Sequence, residues 1–144
     1  MEDTVERVRD FISYSLLVLI LTHTLTHVAG SIRTSLYPLI KEEFSLTNQQ
    51  IGIIAAIPPL CQALVTLPTG VLSDRFGAKS MISVSILMAA LGSVLAGLTI
   101  NPLMFIIATT LLTLNSTFYH PPANSYVTKN SDPGERPMKL GLLN

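Results

Sequence analysis

Apolar residues fill three long uncharged tracts of this chain, 11–32, 44–73 and 80–128, set apart by short clusters of Asp, Glu, Lys and Arg. A bilayer core takes roughly 20 helical residues to cross, and lipid offers the backbone no hydrogen-bond partner outside a helix. On that ruler the pattern predicts four spans, at about 11–38, 49–72, 80–98 and 102–127. Asn101-Pro102 supplies the turn that divides the longest tract. The chain turns apolar again in Lys139-Leu-Gly-Leu-Leu-Asn144, which reads as the start of a fifth span at 138–144. The predicted fold is all-α and integral to the membrane, with 1–10 as a cytoplasmic N-terminal segment.

Within the spans the polar residues are not scattered. At about 100° per residue, His23, Thr26, His27, Gly30, Arg33, Thr34 and Tyr37 fall in one arc of about 120° on the first helix, opposite Leu17, Leu21 and Leu25. Ionisable groups in spans face protein or a water-filled cavity, so this arc is the candidate lining of a polar pathway. The second span carries Gln62, Thr66, Thr69 and Ser73 beside Pro58-Pro59 and Pro68. The fourth carries Thr109, Thr113, Ser116 and His120, with Asn115, Tyr119 and Asn124 nearby and Pro121-Pro122 interrupting the donor series. Hydroxyl stripes of this kind are expected to tie helix to helix, with Gln62 and His120, joined by Tyr119 and Asn124, contributing to the pathway. Ser85, Ala89, Ser93 and Gly97 form a small-residue ridge on the third span, expected to pack.

Charge sharpens the picture. Charged residues make up 12% of the chain where soluble domains carry about a quarter, nine of each sign, and mean hydropathy is +0.51. That combination excludes intrinsic disorder, and the absence of a basic stripe argues against nucleic acid as a partner. Arg7, Arg9, Arg75, Lys79, Lys129, Arg136 and Lys139 lie in segments that share one side of the membrane, whereas the opposite loops hold only Lys41. The positive-inside rule then puts the N-terminus in the cytoplasm. The first tract is too long and too polar, and too clearly followed by further spans, for a cleaved signal peptide.

Catalytic chemistry is not expected. Cys61 is the only cysteine, and no Ser-His-Asp or Cys-His arrangement suggests itself. His23 and His27 have the HxxxH spacing that can place two imidazoles on one metal. With three histidines in all and no Asp or Glu inside a span, a di-metal oxidase cannot be assembled, and neither a metal site nor a cofactor is expected.

The short turn Gly70-Val-Leu-Ser-Asp-Arg-Phe-Gly-Ala-Lys-Ser80 joins the second and third spans. Gly70 permits close helix approach, Gly77 suits a tight turn, and Asp74 with Arg75 or Lys79 can form charge-assisted bonds. In order and place, Gly70, Asp74, Arg75, Gly77 and Lys79 resemble the loop signature of the major facilitator superfamily, with Ala78 departing where that family carries a base. The run His23-Thr-Leu-Thr-His27, Tyr37-Pro-Leu, Glu43-Phe-Ser-Leu, Gln50-Ile-Gly52 and Tyr119-His-Pro-Pro-Ala-Asn is similar to the fosmidomycin-resistance branch of these exporters, apart from Pro122.

The resemblance implies a plasma-membrane secondary transporter exporting a small solute or drug by alternating access, with 11–144 as an incomplete N-terminal helical half. The loop motif would latch one conformation, and His23, His27, Arg33, Tyr37, Gln62, Tyr119, His120 and Asn124 would line the substrate path. Proton coupling would run through the histidines, the side chains that change charge near neutral pH. Lipid, solute and a separately encoded remaining part of the transporter are the implied partners, and the chain is expected to be a truncated or split product that does not transport alone. The rival reading is a small four-helix membrane protein acting as an assembly partner through the third-span ridge.

Overall fold

The structure, a computed structural model, describes residues 14–143. The predicted cytoplasmic segment 1–10, with Arg7 and Arg9, and the final Asn144 lie outside the described residues. Four helices follow in order: α1 (Tyr14–Glu43), α2 (Asn48–Gly97), α3 (Pro102–Lys129) and α4 (Arg136–Leu143). The described residues form no strand. Three of these helices, α1, α2 and α3, are long and apolar enough to cross a membrane.

Local chemistry sets the ends. Thr47 and Gln50 form a reciprocal capping box, the Gln50 amide donating to Thr47 Oγ1 at 3.2 Å and the Thr47 amide to Gln50 Oε1 at 2.8 Å. Asn101 caps α3 by accepting from the Met104 amide at 2.9 Å, and Pro102 stands where its missing N–H costs nothing. Between α1 and α2, Ser45 takes φ 50°, and the Leu46 amide donates back to the Lys41 carbonyl at 2.9 Å, closing the helix end.

Two boundaries differ from the sequence reading. α1 runs past Pro38 to Glu43, which shortens the turn before α2. The turn expected at 73–80 is compressed into one residue: α2 is helical on both sides of Gly77, whose φ 79° and ψ 158° lie in a region open essentially to glycine alone. At 50 residues α2 would be roughly 75 Å long if straight, far more than a bilayer core, so the break at Gly77 separates two membrane-length arms. Prolines do not end the helices. α3 continues through Pro121-Pro122 to Lys129.

Two apolar clusters sit at opposite ends of α1. Leu16 and Leu19 pack with Tyr119, Ala123, Val127 and Leu143, while Ile40 packs with Ile54 and Phe105. α3 packs most extensively on α2, and Gly92 makes the closest approach: a Cβ there would lie 2.9 Å from Leu112 Cγ and 3.0 Å from the Ala108 carbonyl oxygen. The packing ridge of the second arm is Met81, Ser85, Gly92 and Ala96. The expected series keeps only Ser85 in the interior, because a strict spacing of four drifts about 40° per step and carries Ser93 and Gly97 to the exposed side.

Candidate functional site

The buried stripe of α1 runs Leu16, Leu19, His23, Thr26, Ala29 and Ile40, apolar at both ends and polar between. On the flank of that polar middle lies a cavity of about 320 Å³ lined by Thr26, His27, Gly30, Ser31, Arg33 and Thr34 of α1, Gln62 of α2, and Leu112, Thr113, Ser116 and His120 of α3. It opens midway along α1, between the two apolar clusters. Leu17, Leu21 and Leu25 point away and are exposed.

Arg33 is the charged residue of the lining. Its guanidinium donates through Nη1 to Thr113 Oγ1, while its Nε is buried with no hydrogen-bond partner. Among the described residues no carboxylate lines the cavity. The wall therefore presents positive charge, hydroxyls and an amide.

Three imidazoles meet at one end of this wall. His23 and His27, one turn apart on α1, share a hydrogen bond between their Nε2 atoms at 3.0 Å. His120 of α3 brings its ring centroid to 5.1 Å from that of His23 and 6.2 Å from that of His27. One nitrogen from each ring falls within 4.8 Å of the others. Tyr119 holds the backdrop: fully buried, it stacks on His23 at 5.7 Å with 20° between planes, and its hydroxyl donates to the Leu19 carbonyl and contacts Thr22 Oγ1 at 3.0 Å.

Of the residues proposed for the path, the structure gathers His27, Arg33, Gln62 and His120 on the cavity, with His23 directly behind His27. Tyr119 serves the helix contact instead. Tyr37 packs edge-on to Phe105 at 5.5 Å in the cluster around Ile40 and Ile54, and Asn124 lies outside the lining. Ser31 and Leu112 line the cavity although the sequence pattern did not single them out. Ser31 follows His27 by four residues, so the helical period alone could have found it. Most stripe hydroxyls bond within their own helix, Thr66 to the Gln62 carbonyl, Thr69 to Val65 and Thr109 to Phe105, leaving Thr22 and Thr113 to reach across.

Around the signature turn, Asp74 and Arg75 are exposed, and Arg75 stands 5.6 Å over the Phe76 ring. Among the described residues no ion pair forms between Asp74 and Arg75 or Lys79, whereas Lys139 pairs with Glu135 at 2.8 Å. A Cβ on Gly70 would meet nothing within 4 Å, so the close approach expected there is made by Gly92 instead.

Comparison with known proteins places this architecture. The sequence profile of the major facilitator superfamily matches residues 19–144. The chain is 34% identical over 93 residues to the multidrug resistance protein MdtH of Sodalis glossinidius, an alignment covering 65% of this chain and 23% of that protein. It is 32% identical over 111 residues to MdtH of Proteus mirabilis, covering 74% and 28%, and 30% identical over 111 residues to that of Baumannia cicadellinicola, covering 74% and 27%. The chain thus spans about a quarter of the length of these curated relatives. No solved structure matches. With a profile match over most of its length and three helices long and apolar enough to cross a membrane, this chain belongs to the major facilitator superfamily.

Proposed function

We propose that this chain supplies one wall of the solute path in a secondary transporter that exports small molecules or drugs from the cell by alternating access. Its four spans, at 11–38, 49–72, 80–98 and 102–127, and the start of a fifth at 138–144 would be threaded with the N-terminus in the cytoplasm. The observation that carries the reading is the polar cavity between α1, α2 and α3, midway along α1 between two apolar clusters; transporters of this build hold solute near mid-membrane, where such a cavity would fall. The multidrug name of the relatives supports export of an organic compound, and the residues shared with the fosmidomycin-resistance branch support the same direction. Arg33, facing a lining without carboxylates, favours solutes bearing an anionic or hydrogen-bond-accepting group. Coupling to protons is the expectation attached to the histidines. The opposing wall, and with it transport, belongs to a protein of the relatives' length, whether encoded in one frame or in two.

Cysteine accessibility tests the reading in such a transporter after Cys61→Ser. Cysteines at 27, 30 and 116 react with small water-soluble thiol reagents and are protected by solute, while one at 21 does neither. Equal inaccessibility of 27, 30 and 116 would return them to helix packing and remove the path.

A further inference from the structure

We infer that His23, His27 and His120 form a binding site for one divalent first-row transition metal of the zinc class, with a fourth coordination position open to the cavity. His23 and His27 present Nε2 to Nε2 at 3.0 Å, and two nitrogens on a tetrahedral zinc with bonds of about 2.0–2.1 Å lie roughly 3.3 Å apart. The two atoms already stand near chelating separation; on binding, the proton between them leaves to water or moves to an Nδ1, and the rings turn both Nε2 lone pairs onto the ion. The third imidazole comes from another helix, and its nitrogen lies within 4.8 Å of the other two, a gap that side-chain rotation closes.

The surroundings select the ion. Three imidazoles with no carboxylate or thiolate among them suit zinc, cobalt, nickel or copper and discriminate against magnesium and calcium, which demand oxygen. Tyr119 stacked on His23 and pinned to the Leu19 carbonyl fixes one ligand ring in place. His27 and His120 line the cavity, so the remaining position faces water or an anionic group of a solute, and Arg33 on the same wall favours the anion. Three protein ligands and an open fourth site is the arrangement of a metal that binds something exchangeable. Neutral imidazoles leave both charges of the ion uncompensated at bilayer depth, which is a second reason for an anionic fourth ligand. The three rings are all within this chain, so metal binding is measurable without transport; only a solute as fourth ligand rests on the transport reading.

The test uses the whole chain, purified in detergent or nanodiscs through a tag without histidine, stripped with a chelator and titrated with cobalt(II). We expect one cobalt per chain with the intense visible bands of tetrahedral coordination, displaced by zinc and not by magnesium. His23→Ala, His27→Gln and His120→Ala should each weaken binding by at least about tenfold, while Thr24→Ala, on an exposed position of the same helix, should not. An octahedral spectrum, or unchanged affinity in His120→Ala, overturns the site. Should the variants not fold by circular dichroism, zinc X-ray absorption on the native chain decides: three imidazoles bound to the metal support the site and fewer overturn it. Metal binding without solute protection at 27, 30 and 116, or the reverse, separates this proposal from the transport reading.

Discussion

Arg33 of α1 donates to the hydroxyl of Thr113 on α3, and that hydroxyl in turn donates to the Thr109 carbonyl at 2.7 Å. That donation fixes the acceptor side of Thr113 toward the guanidinium, so the cation of α1 is tied to the neighbouring helix by a bond of defined direction. Its buried Nε remains without a hydrogen-bond partner, while the residue as a whole lines the cavity.

That arrangement predicts an effect on solute affinity. A hydrogen bond to a charged group contributes about 1.5–3 kcal/mol, so in a transporter carrying this segment Arg33→Gln should weaken equilibrium binding roughly 10- to 100-fold. Arg33→Lys should recover only part of it, because an ammonium keeps the charge and loses the planar fork. Unchanged binding in Arg33→Gln would remove Arg33 from the path.

The two glycines of the signature turn should behave in opposite ways. Gly77 has φ 79° and ψ 158°, so Gly77→Ala should cost about 1–3 kcal/mol and lower the unfolding midpoint in detergent. Gly70 is helical, and a methyl group added there would meet nothing within 4 Å, so Gly70→Ala should be neutral or gain up to about 1 kcal/mol from helix propensity. Equal losses at both positions would show that the turn is held by something other than its backbone angles.

What the sequence made legible follows the reach of its signals. Period and hydropathy located α1, the Asn101-Pro102 start of α3 and the face holding His27 and Arg33, because each is fixed within a few helical turns. The meeting of His120 with His23, and the choice of Gly92 over Gly70 as the close approach, depend on how α3 rotates against its neighbours. No local spacing encodes that rotation. Tyr37 and Tyr119 look alike in sequence, each a polar-tipped aromatic on a polar face, yet Tyr37 meets Phe105 and Tyr119 closes on a backbone carbonyl.

Threading is open to direct measurement. With Cys61 replaced by serine, a cysteine at 45, in the turn after α1, should react with an impermeant reagent from outside, and one at 78, beside Gly77, should not. The reverse pattern would invert the orientation drawn from Lys and Arg.

Asp74 stands twelve residues along α2 from Gln62, roughly 18 Å at 1.5 Å per residue, and its side chain is exposed. At that distance it does not touch solute in the cavity. In a functioning transporter Asp74→Asn should therefore cut the transport rate at least about tenfold while changing solute affinity less than about twofold. Parallel loss of rate and affinity would argue against a latch and for a direct contribution to the site.

Gly92 sets how closely α3 lies against α2. A methyl group on Gly92 would lie 2.9 Å from Leu112 Cγ and 3.0 Å from the Ala108 carbonyl oxygen. The leucine can rotate, but the carbonyl belongs to the backbone of α3 and moves only with the helix, so Gly92→Ala should cost about 1–3 kcal/mol. Leu112 also lines the cavity, so the displaced side chain should narrow the path as well as destabilise the fold. Combining Gly92→Ala with Leu112→Ala separates the two contributions: relief of the side-chain clash should appear as a favourable coupling of at least about 0.5 kcal/mol in a double-mutant cycle. The contact with the Ala108 carbonyl should persist, leaving the double variant less stable than Leu112→Ala alone. Additive losses, measured by unfolding in detergent, would mean that α3 shifts as a unit and that Gly92 does not set its distance from α2.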